Sequence, residues 1–339
     1  MLILGIETSC DETAASVVKD GKLILSNIVL SQTPAHKVFY GVVPEVASRA
    51  HTFWLLPIVK LALQNAEVSP NQISAIAVTQ GPGLIGALLV GLTAAKTLAT
   101  VLDIPLITVD HIHAHIYSAF ISTDTQLPAV ALIVSGGHTA LFRVNSYTNI
   151  ELLGRTTDDA AGEAFDKVAR MLNLPYPGGP SIQESAQNGK PNAVRFPRSL
   201  LDSESLDFSF SGIKTAVLYH LYGQDKKGKT APLKETVSDI AASFQEAIVD
   251  ILVEKCKRAL GQTGYKTLIV AGGVAANKRL RERLQTEAEK HKFSLSLPPL
   301  SLCTDNAAMV AGLAFHLIKN GKTASLDVDA YSEEFSLGE

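Results

Sequence analysis

The chain has 339 residues, too many for one ordinary hydrophobic core, so we expect two domains. Hydrophobic residues make up 46% and charged residues 19%, as in globular proteins, and the formal net charge of −3 excludes a generally basic, nucleic-acid-binding surface. The three cysteines are far apart, which argues against a disulfide scaffold or a cysteine-ligated zinc site and favours the reducing cytoplasm.

The apolar segments predict no membrane contact. The N-terminus has no basic region and only a short apolar run before Glu7, so we expect no signal peptide. The uncharged run 81–95 contains Pro82 and four glycines and ends at Lys96. It is too short and too broken to span a bilayer, and we predict a buried helix rich in small residues.

One strand–loop–strand unit occurs twice. The first copy has its strands at 2–6 and 14–18 and its polar loop at 7–13, with a third strand expected at 23–29. The second copy has strands at 130–134 and 140–144 around the loop 135–139. Both are predicted to be hairpins, whose Ser, Thr and Gly loops suit phosphate oxygens. Two copies predict a duplicated α/β fold that holds a nucleotide.

Two more glycine-containing loops follow predicted strands. The strand 267–270 precedes the loop 271–277 and a helix at 278–290, and the strand 75–79 precedes the loop 80–83 and another helix. Glycines allow a base or ribose to approach the backbone closely, and Asn277 offers hydrogen bonds to it. Neither loop matches the P-loop pattern.

The middle of the chain, 156–215, is predicted to be helical and rich in loops. Asp166, in a predicted helix at 160–172, is a candidate for binding ribose hydroxyls or for pairing with Arg170. Gly179 either admits a ligand or belongs to an ordinary loop. Local basic groups at 195 and 198, 226–229 and 278–283 are weak candidates for RNA contact.

Three histidines, His111, His113 and His115, follow an apolar run at 105–109. On a helix, His111 and His115 share a face and can bind one divalent ion; the alternative is that they cap and pack the helix. Asp305, before a predicted helix at 307–318, is the candidate third ligand or else an N-cap. Such a set suits iron(II), zinc or manganese. A zinc protease is disfavoured, because no glutamate lies between His111 and His115.

The motifs run from end to end of the chain and resemble those of the bacterial tRNA N6-adenosine threonylcarbamoyltransferase family (TsaD), once labelled O-sialoglycoprotein endopeptidases. The matching motifs are GIETSCDET (5–13), GVVPEVASRAH (41–51), TQGPGLIGAL (79–88), HIHAH (111–115), VSGGHT (134–139), DDAAGEAFDK (158–167), PGGP (177–180), FSFSGIKT (208–215), GGVAAN (272–277) and CTDNAAM (303–309).

The resemblance implies an α/β protein of the actin-like/sugar-kinase ATPase fold, with two duplicated lobes and a nucleotide cleft between them. The expected lobes are 1–109, completed by the C-terminal helix at about 307–339, and 110–306, with a helical insertion at about 156–215. The implied reaction moves threonylcarbamoyl from threonylcarbamoyl-AMP to N6 of the adenosine 3′ of the anticodon, in tRNAs that read codons beginning with A. AMP is released.

The resemblance also implies site residues and cofactors. His111, His115 and Asp305 would hold one metal ion, Fe²⁺ or else Zn²⁺. The adenylate, or ATP, ADP or AMP in the same site, would bind to a set of loop residues, namely Val134, Ser135, Gly136, Gly137, His138, Asp166, Gly179 and Asn277. The chain departs from many members at Gln183, where an aspartate often adds a ribose contact.

Asp11 and Glu12 are the hypothetical catalytic base for the attacking amine. The resemblance implies several partners: tRNA, a paralogous non-catalytic subunit (TsaB-like), an ATPase (TsaE-like) and a separate synthase that supplies the adenylate (TsaC-like). Two alternatives are a small-molecule phosphotransferase of the same superfamily, which uses ATP and magnesium, and a non-catalytic nucleotide-binding scaffold.

Overall fold

Strands and helices follow the predicted periodicities closely. The computed structural model describes residues 1–201, 204–223 and 235–332. The strands are β1 (Leu2–Glu7), β2 (Glu12–Lys19), β3 (Leu23–Ser31), β4 (Ala75–Gly81), β5 (Leu106–Asp110), β6 (Ala129–Val134), β7 (Thr139–Ser146), β8 (Asn149–Arg155), β9 (Thr267–Ala271) and β10 (Ser294–Ser296). The helices are α1 (Thr33–His36), α2 (Pro44–Asn65), α3 (Ile85–Leu102), α4 (His111–Ser122), α5 (Ala161–Met171), α6 (Gly178–Ala186), α7 (Ser211–Tyr222), α8 (Val237–Thr263), α9 (Lys278–His291) and α10 (Ala307–Lys319).

The first compact unit comprises Met1–Thr125, Asn145–Ile150 and Pro298–Glu339. Its sheet has the order β3-β2-β1-β4-β5, with β2 antiparallel to β1 and with β4 and β5 parallel to β1. Leu4 and Ile6 point to one face of β1 and join a core with α2 and α3. Gly5 points to the other face, where its missing side chain lets the backbone of α10 approach at Ala307.

The second compact unit comprises Gln126–Val144 and Glu151–Leu297. Its sheet has the order β10-β9-β6-β7-β8, with β7 antiparallel to β6 and with β9 and β10 parallel to it. This order repeats that of the first sheet when β6, β7 and β8 replace β1, β2 and β3. The predicted duplicated hairpins are therefore present, each at the head of its own α/β sheet.

The unit boundary differs from the expected one at 109. Helix α4 and the residues up to Thr125 belong to the first unit, because α4 packs against α10. The return to the first unit also begins earlier, at Pro298 rather than about 307. The predicted insertion is helical as expected, through α5, α6 and α7, and its last helix continues to Tyr222.

Helix α3 corresponds to the long uncharged run in the sequence. Within the described residues it is the one helix that is long and apolar enough to cross a membrane, a test that core helices also pass. Leu88, Leu92, Ala95 and Ala99 are buried, and the helix packs against β4 and α2. The predicted burial is therefore partial, because a third of the helix is buried while Ile85, Leu89 and Val101 are exposed.

Candidate functional site

The candidate metal site lies at the carboxyl ends of three parallel strands of the first unit. Strand β1 ends at Glu7, β4 passes through Thr79 near its end, and β5 ends at Asp110, directly before α4. The carboxyl ends of parallel strands meet at one edge of a sheet, where open α/β folds bind ligands. Here they bring polar side chains from distant parts of the sequence together.

His111 and His115 lie one helical turn apart at the start of α4 and converge on Asp305. The Nε2 atoms of His111 and His115 lie 3.6 Å and 3.0 Å from Asp305 Oδ1. One ligand atom from each residue lies within 4.8 Å of the others. Ligands about 2.0–2.2 Å from a shared ion are roughly 3–3.5 Å apart, so the donor set fits an ion after a small adjustment.

Neither histidine nor Asp305 caps a helix, contrary to the alternatives that the sequence left open. Asp110 caps α4, because its carboxylate accepts a hydrogen bond from the His113 amide. Asn306 caps α10 and accepts from the Met309 amide. The His111 and His115 rings and the Asp305 carboxylate thus face one another rather than a helix end, and His113 is not part of the cluster.

Glu7 is a functional candidate that the sequence reasoning missed. Its Oε2 lies 3.0 Å from His111 Nδ1, and it also accepts a 2.6 Å hydrogen bond from the Thr79 hydroxyl. The Ser9 amide donates to Glu7 Oε1, and the Ser9 hydroxyl lies 3.1 Å from His111 Nδ1. A carboxylate behind a histidine fixes the ring and raises its basicity, as in metal sites. The available signal was an acidic residue at the end of a fully apolar strand.

The buried side chains of His111 and Glu7 shift each other's pKa. Burial lowers the pKa of His111, but the Asp305 and Glu7 carboxylates outweigh it and raise the pKa to about 9. Burial raises the pKa of Glu7, but the charge and hydrogen bond of His111 outweigh it and lower the pKa below its usual value. Two carboxylates therefore favour positive charge at this position, which either a proton on His111 or a bound cation can supply.

Asp11 lies in the loop between β1 and β2, and Glu12 is the first residue of β2. The pKa of Glu12 is raised well above its usual value by burial and by the negative charges of Asp305 and Asp11. The Ser31 hydroxyl donates to Glu12 over 3.2 Å. Burial also raises the pKa of the neighbouring Cys10 thiol, so this cysteine is not a reactive thiolate.

His51 and its neighbours hold this loop in place. His51 Nε2 lies 2.9 Å from the Cys10 carbonyl, and its Nδ1 lies 2.8 Å from the Thr13 hydroxyl. A carbonyl can only accept, so Nε2 carries the proton and the Thr13 hydroxyl donates to Nδ1. The ring is fully buried, and burial lowers its pKa. The motif that ends at His51 therefore positions the loop that carries Asp11 and Glu12.

The predicted phosphate loop of the second unit is the tight turn between β6 and β7, after Val134. The Ser135 amide donates to the His138 carbonyl, and the His138 amide donates to the Ser135 hydroxyl. Gly136 and Gly137 at its tip are exposed, with open space where a Cβ would stand. Their backbone amides are sterically accessible to a phosphate.

Close backbone contacts bring the other predicted loops to this turn. A Cβ on Gly272 would lie 2.5 Å from the Val134 carbonyl oxygen, and one on Gly162 would lie 2.5 Å from the Ser135 carbonyl oxygen. Gly272 also has a φ of +95°, which favours glycine. The β6–β7 turn, the start of α5 and the β9–α9 junction are therefore adjacent.

Asp166 and Gly179 lie on facing helices, α5 and α6. Asp166 Oδ1 accepts a 2.6 Å hydrogen bond from the Gly178 amide at the start of α6. The position of a Cβ on Gly179 is open. Asp166 thus fixes the start of α6 and Gly179 leaves space there.

The side chain of Asn277 is engaged within the protein. Its Oδ1 accepts from the Leu280 amide as the N-cap of α9, and its Nδ2 donates to Gln245 over 2.8 Å. Gln183 accepts a 2.7 Å hydrogen bond from the Lys278 amide. Both side chains hold the first turn of α9, a role that the sequence did not reveal.

Most of the candidate RNA-binding arginines are paired with acidic groups. Arg283 lies 2.5 Å from Glu246 and 2.9 Å from Asp250, Arg279 lies 2.7 Å from Glu246, and Arg198 lies 2.9 Å from Asp250. The predicted basic group at 226–229 lies outside the described residues. Arg279 and Arg283 thus join α9 to α8, and Arg198 joins its loop to α8.

Solved structures of similar fold were found by structural comparison. Component A of the (R)-2-hydroxyglutaryl-CoA dehydratase of Acidaminococcus fermentans aligns with a TM-score of 0.54 at 16% identity, over 95% of this chain and 100% of that one. Full-length HypF aligns with a TM-score of 0.60 at 14% identity, over 98% of this chain and 47% of that one. At this identity the likeness shows the fold alone, and it confirms the expected actin-like/sugar-kinase ATPase class.

Sequence comparison is more specific. The profile of the family described as tRNA N6-adenosine threonylcarbamoyltransferase (TsaD) matches residues 23–312. A protein of that name from Bacillus anthracis is 50% identical over 331 residues, covering 97% of this chain and 95% of the relative. One from Staphylococcus haemolyticus is 52% identical over 328 residues, covering 97% and 94%. The chain belongs to the tRNA N6-adenosine threonylcarbamoyltransferase family.

Proposed function

We propose that the chain transfers threonylcarbamoyl from threonylcarbamoyl-AMP to N6 of the adenosine 3′ of the anticodon, in tRNAs reading codons that begin with A. The exocyclic amine attacks the carbamoyl carbon, the bond to the phosphate oxygen breaks, and AMP leaves. Family membership over nearly the whole chain supports this reaction. The structural observation that carries the proposal is the convergence of His111 and His115 on Asp305.

One metal ion per chain, Fe²⁺ or Zn²⁺, is proposed to bind between these three side chains. When bound, it supplies a Lewis acid that stabilises negative charge developing on oxygen. Three ligands leave coordination positions open to substrate. Glu7 holds His111 Nδ1 and thereby directs the Nε2 lone pair to the ion.

The donor adenylate is proposed to bind to the loops of the second unit. The amides of Gly136 and Gly137 suit its phosphate, and Asp166, whose Oδ1 holds the start of α6, is proposed to bind its ribose. Gly179 leaves space for the ligand. Asn277 contributes by shaping the start of α9, since its side chain is held within the protein.

The proton lost by the attacking amine is proposed to pass to Asp11 or Glu12. Groups whose pKa is moved towards neutrality are effective in proton transfer, and the pKa of Glu12 is raised. The buried His51 holds the same loop at the Cys10 carbonyl.

The proposed setting is the cytoplasm, with tRNA as acceptor substrate. We propose the paralogous TsaB-like subunit, the TsaE-like ATPase and the TsaC-like synthase as its partners. These proposals rest on membership of the family.

The test is transfer of labelled threonylcarbamoyl from the adenylate to tRNA, with the proposed partners supplied. His111→Ala is expected to lose transfer, and His113→Ala is the matched control from the same helical turn. Label at the anticodon loop with wild type and with His113→Ala, but not with His111→Ala, supports the proposal. No transfer by wild type, or full transfer by His111→Ala, contradicts it.

A further inference from the structure

The segment Val328–Ser332 lies along the loop that follows β4 and reaches the start of α4. Lys96 and Gln80 donate to the carbonyls of Val328 and Asp329 over 2.5 Å and 2.7 Å. The Tyr331 amide donates to the Gln80 carbonyl. The segment is therefore fixed to the rest of the first unit at several positions rather than by a single contact.

Tyr331 contacts both Asp110, which caps α4, and Gly81, at the end of β4. Its hydroxyl donates a 2.9 Å hydrogen bond to Asp110 Oδ2, while Asp110 Oδ1 caps α4 at the His113 amide. The Tyr331 carbonyl and ring also lie directly against Gly81, where no side chain would fit. The tyrosine thus fixes the carboxylate that caps the helix bearing His111 and His115.

A second connection reaches His111 from the same segment. The Gly83 amide donates to the Ser332 carbonyl, and the next amide, that of Leu84, donates to the Ser9 carbonyl over 2.8 Å. The Ser9 hydroxyl lies 3.1 Å from His111 Nδ1. The segment is therefore linked to the first histidine through both the helix cap and the Ser9 loop.

We infer that Tyr331 is a positioning residue for the metal centre, acting through Asp110 and the 81–83 loop on His111 and His115. The inference rests on the proposed metal site. Outer carboxylate and carbonyl partners of metal ligands change affinity about 10–100-fold when they are removed, and Tyr331 lies further out, behind the cap of the helix that carries the ligands. We therefore expect loss of its hydroxyl to weaken metal binding by roughly 3–10-fold.

The test compares wild type with Tyr331→Phe, using the full chain stripped of metal and titrated with Co²⁺. Co²⁺ absorption reports both the affinity and the geometry of the site. Tyr219→Phe, a half-exposed tyrosine on α7, is the matched control. We expect Tyr331→Phe to bind Co²⁺ more weakly, with an altered spectrum and a lower kcat, whereas Tyr219→Phe matches wild type.

A double variant separates positioning from a general structural effect. If Tyr331 acts through Asp110, adding Tyr331→Phe to Asp110→Asn changes Co²⁺ affinity less than it does in wild type. Equal affinity, spectrum and kcat in wild type and Tyr331→Phe would overturn the inference about Tyr331 and leave the proposed metal centre standing. A wild-type chain that binds no Co²⁺ would overturn the proposed metal centre and the inference with it.

Discussion

At the scale of single residues, Glu7 decides which nitrogen of His111 faces the candidate metal site. It is fully buried, and its carboxylate is held by Thr79 and by the Ser9 amide. A fixed carboxylate at Nδ1 leaves Nε2 for Asp305 and the ion. The orientation of His111, the first candidate metal ligand, is therefore fixed by the residue that ends β1.

Replacing Glu7 by Gln keeps the shape of the side chain and removes its charge. We expect metal affinity to fall about 10–100-fold, because the carboxylate no longer supports the basicity of His111. Competition with a chromophoric chelator measures this affinity. Glu45→Gln, an exposed change on α2, is the control, and equal affinity in wild type and Glu7→Gln would contradict the assigned role.

Because His51 is buried, we expect the stability of the folded chain to depend on pH. Burial lowers its pKa in the folded chain below the usual 6.5, so below that value the unfolded chain binds the proton more readily. Stability from this residue is complete above pH 6.5 and falls as the solution becomes more acidic. Urea unfolding of wild type and His51→Gln between about pH 7.5 and 5.5 measures the effect.

The variant is expected to be less stable at the upper end of this range, by about 1–3 kcal/mol for the lost buried hydrogen bonds. Its deficit should shrink towards the acidic end, because it has no imidazole to protonate. A deficit that stays constant over this range would show that His51 is not held neutral by burial.

The sequence alone predicted the three candidate ligands but not the residues that orient them. The spacing of His111 and His115 is local, and it places them on one face of any helix. Glu7 and Tyr331 act through contacts 104 and 221 residues away along the chain. Such contacts depend on strand order, which spacing within one motif does not encode.

At the scale of elements, the junctions of the second unit depend on glycines that let backbones touch. Gly272 has both a positive φ and the Val134 carbonyl oxygen 2.5 Å from its missing Cβ. Gly261, within α8, has open space around it. The two positions give opposite expectations for the same substitution.

Gly272→Ala is expected to destabilise the chain by about 1–3 kcal/mol and to weaken binding of the adenylate, because the Cβ pushes β9 away from β6. Gly261→Ala is expected to stabilise it by about 0.5–1 kcal/mol, since alanine favours a helix. Chemical unfolding and calorimetric titration with AMP measure both. If Gly272→Ala has the stability and the AMP affinity of wild type, the close approach of Gly272 to the Val134 carbonyl is contradicted.

The hairpins and the helices flanking the loops were predictable because their periodicities are local. The unit boundary near Thr125 was not, because α4 joins the first unit by packing on α10, which lies far along the chain. The role of Asn277 also escaped prediction: the same amide can bind a ligand or cap a helix, and sequence does not choose between them.

At the scale of the whole molecule, the near-neutral charge and the paired arginines bear on where the proposed tRNA substrate would bind. Arg283 is shared by Glu246 and Asp250, and the Arg279 and Arg283 side chains lower the pKa of Glu246. Arginines already bound to carboxylates gain little from a phosphate. Their role is to join α8 to α9.

Arg283→Ala is therefore expected to cost about 0.5–2 kcal/mol of stability, since it removes one of the two arginine partners of Glu246 and of Asp250 and leaves them Arg279 and Arg198. Its effect on the tRNA dissociation constant should be under about threefold, less than the loss of a phosphate contact would cause. Unfolding and filter-binding assays measure the two quantities. A large loss of tRNA affinity with unchanged stability would place Arg283 in the RNA interface instead.

The most direct test of the metal centre is transfer to tRNA as a function of metal bound per chain. Metal-free chain, with the adenylate, tRNA and partners present, is titrated with Fe²⁺ or Zn²⁺ while bound metal and modified adenosine are both counted. We predict that transfer rises in proportion to bound metal and saturates at one ion per chain, and that Asp305→Ala neither binds the ion nor transfers. Full transfer by the metal-free chain would contradict the account.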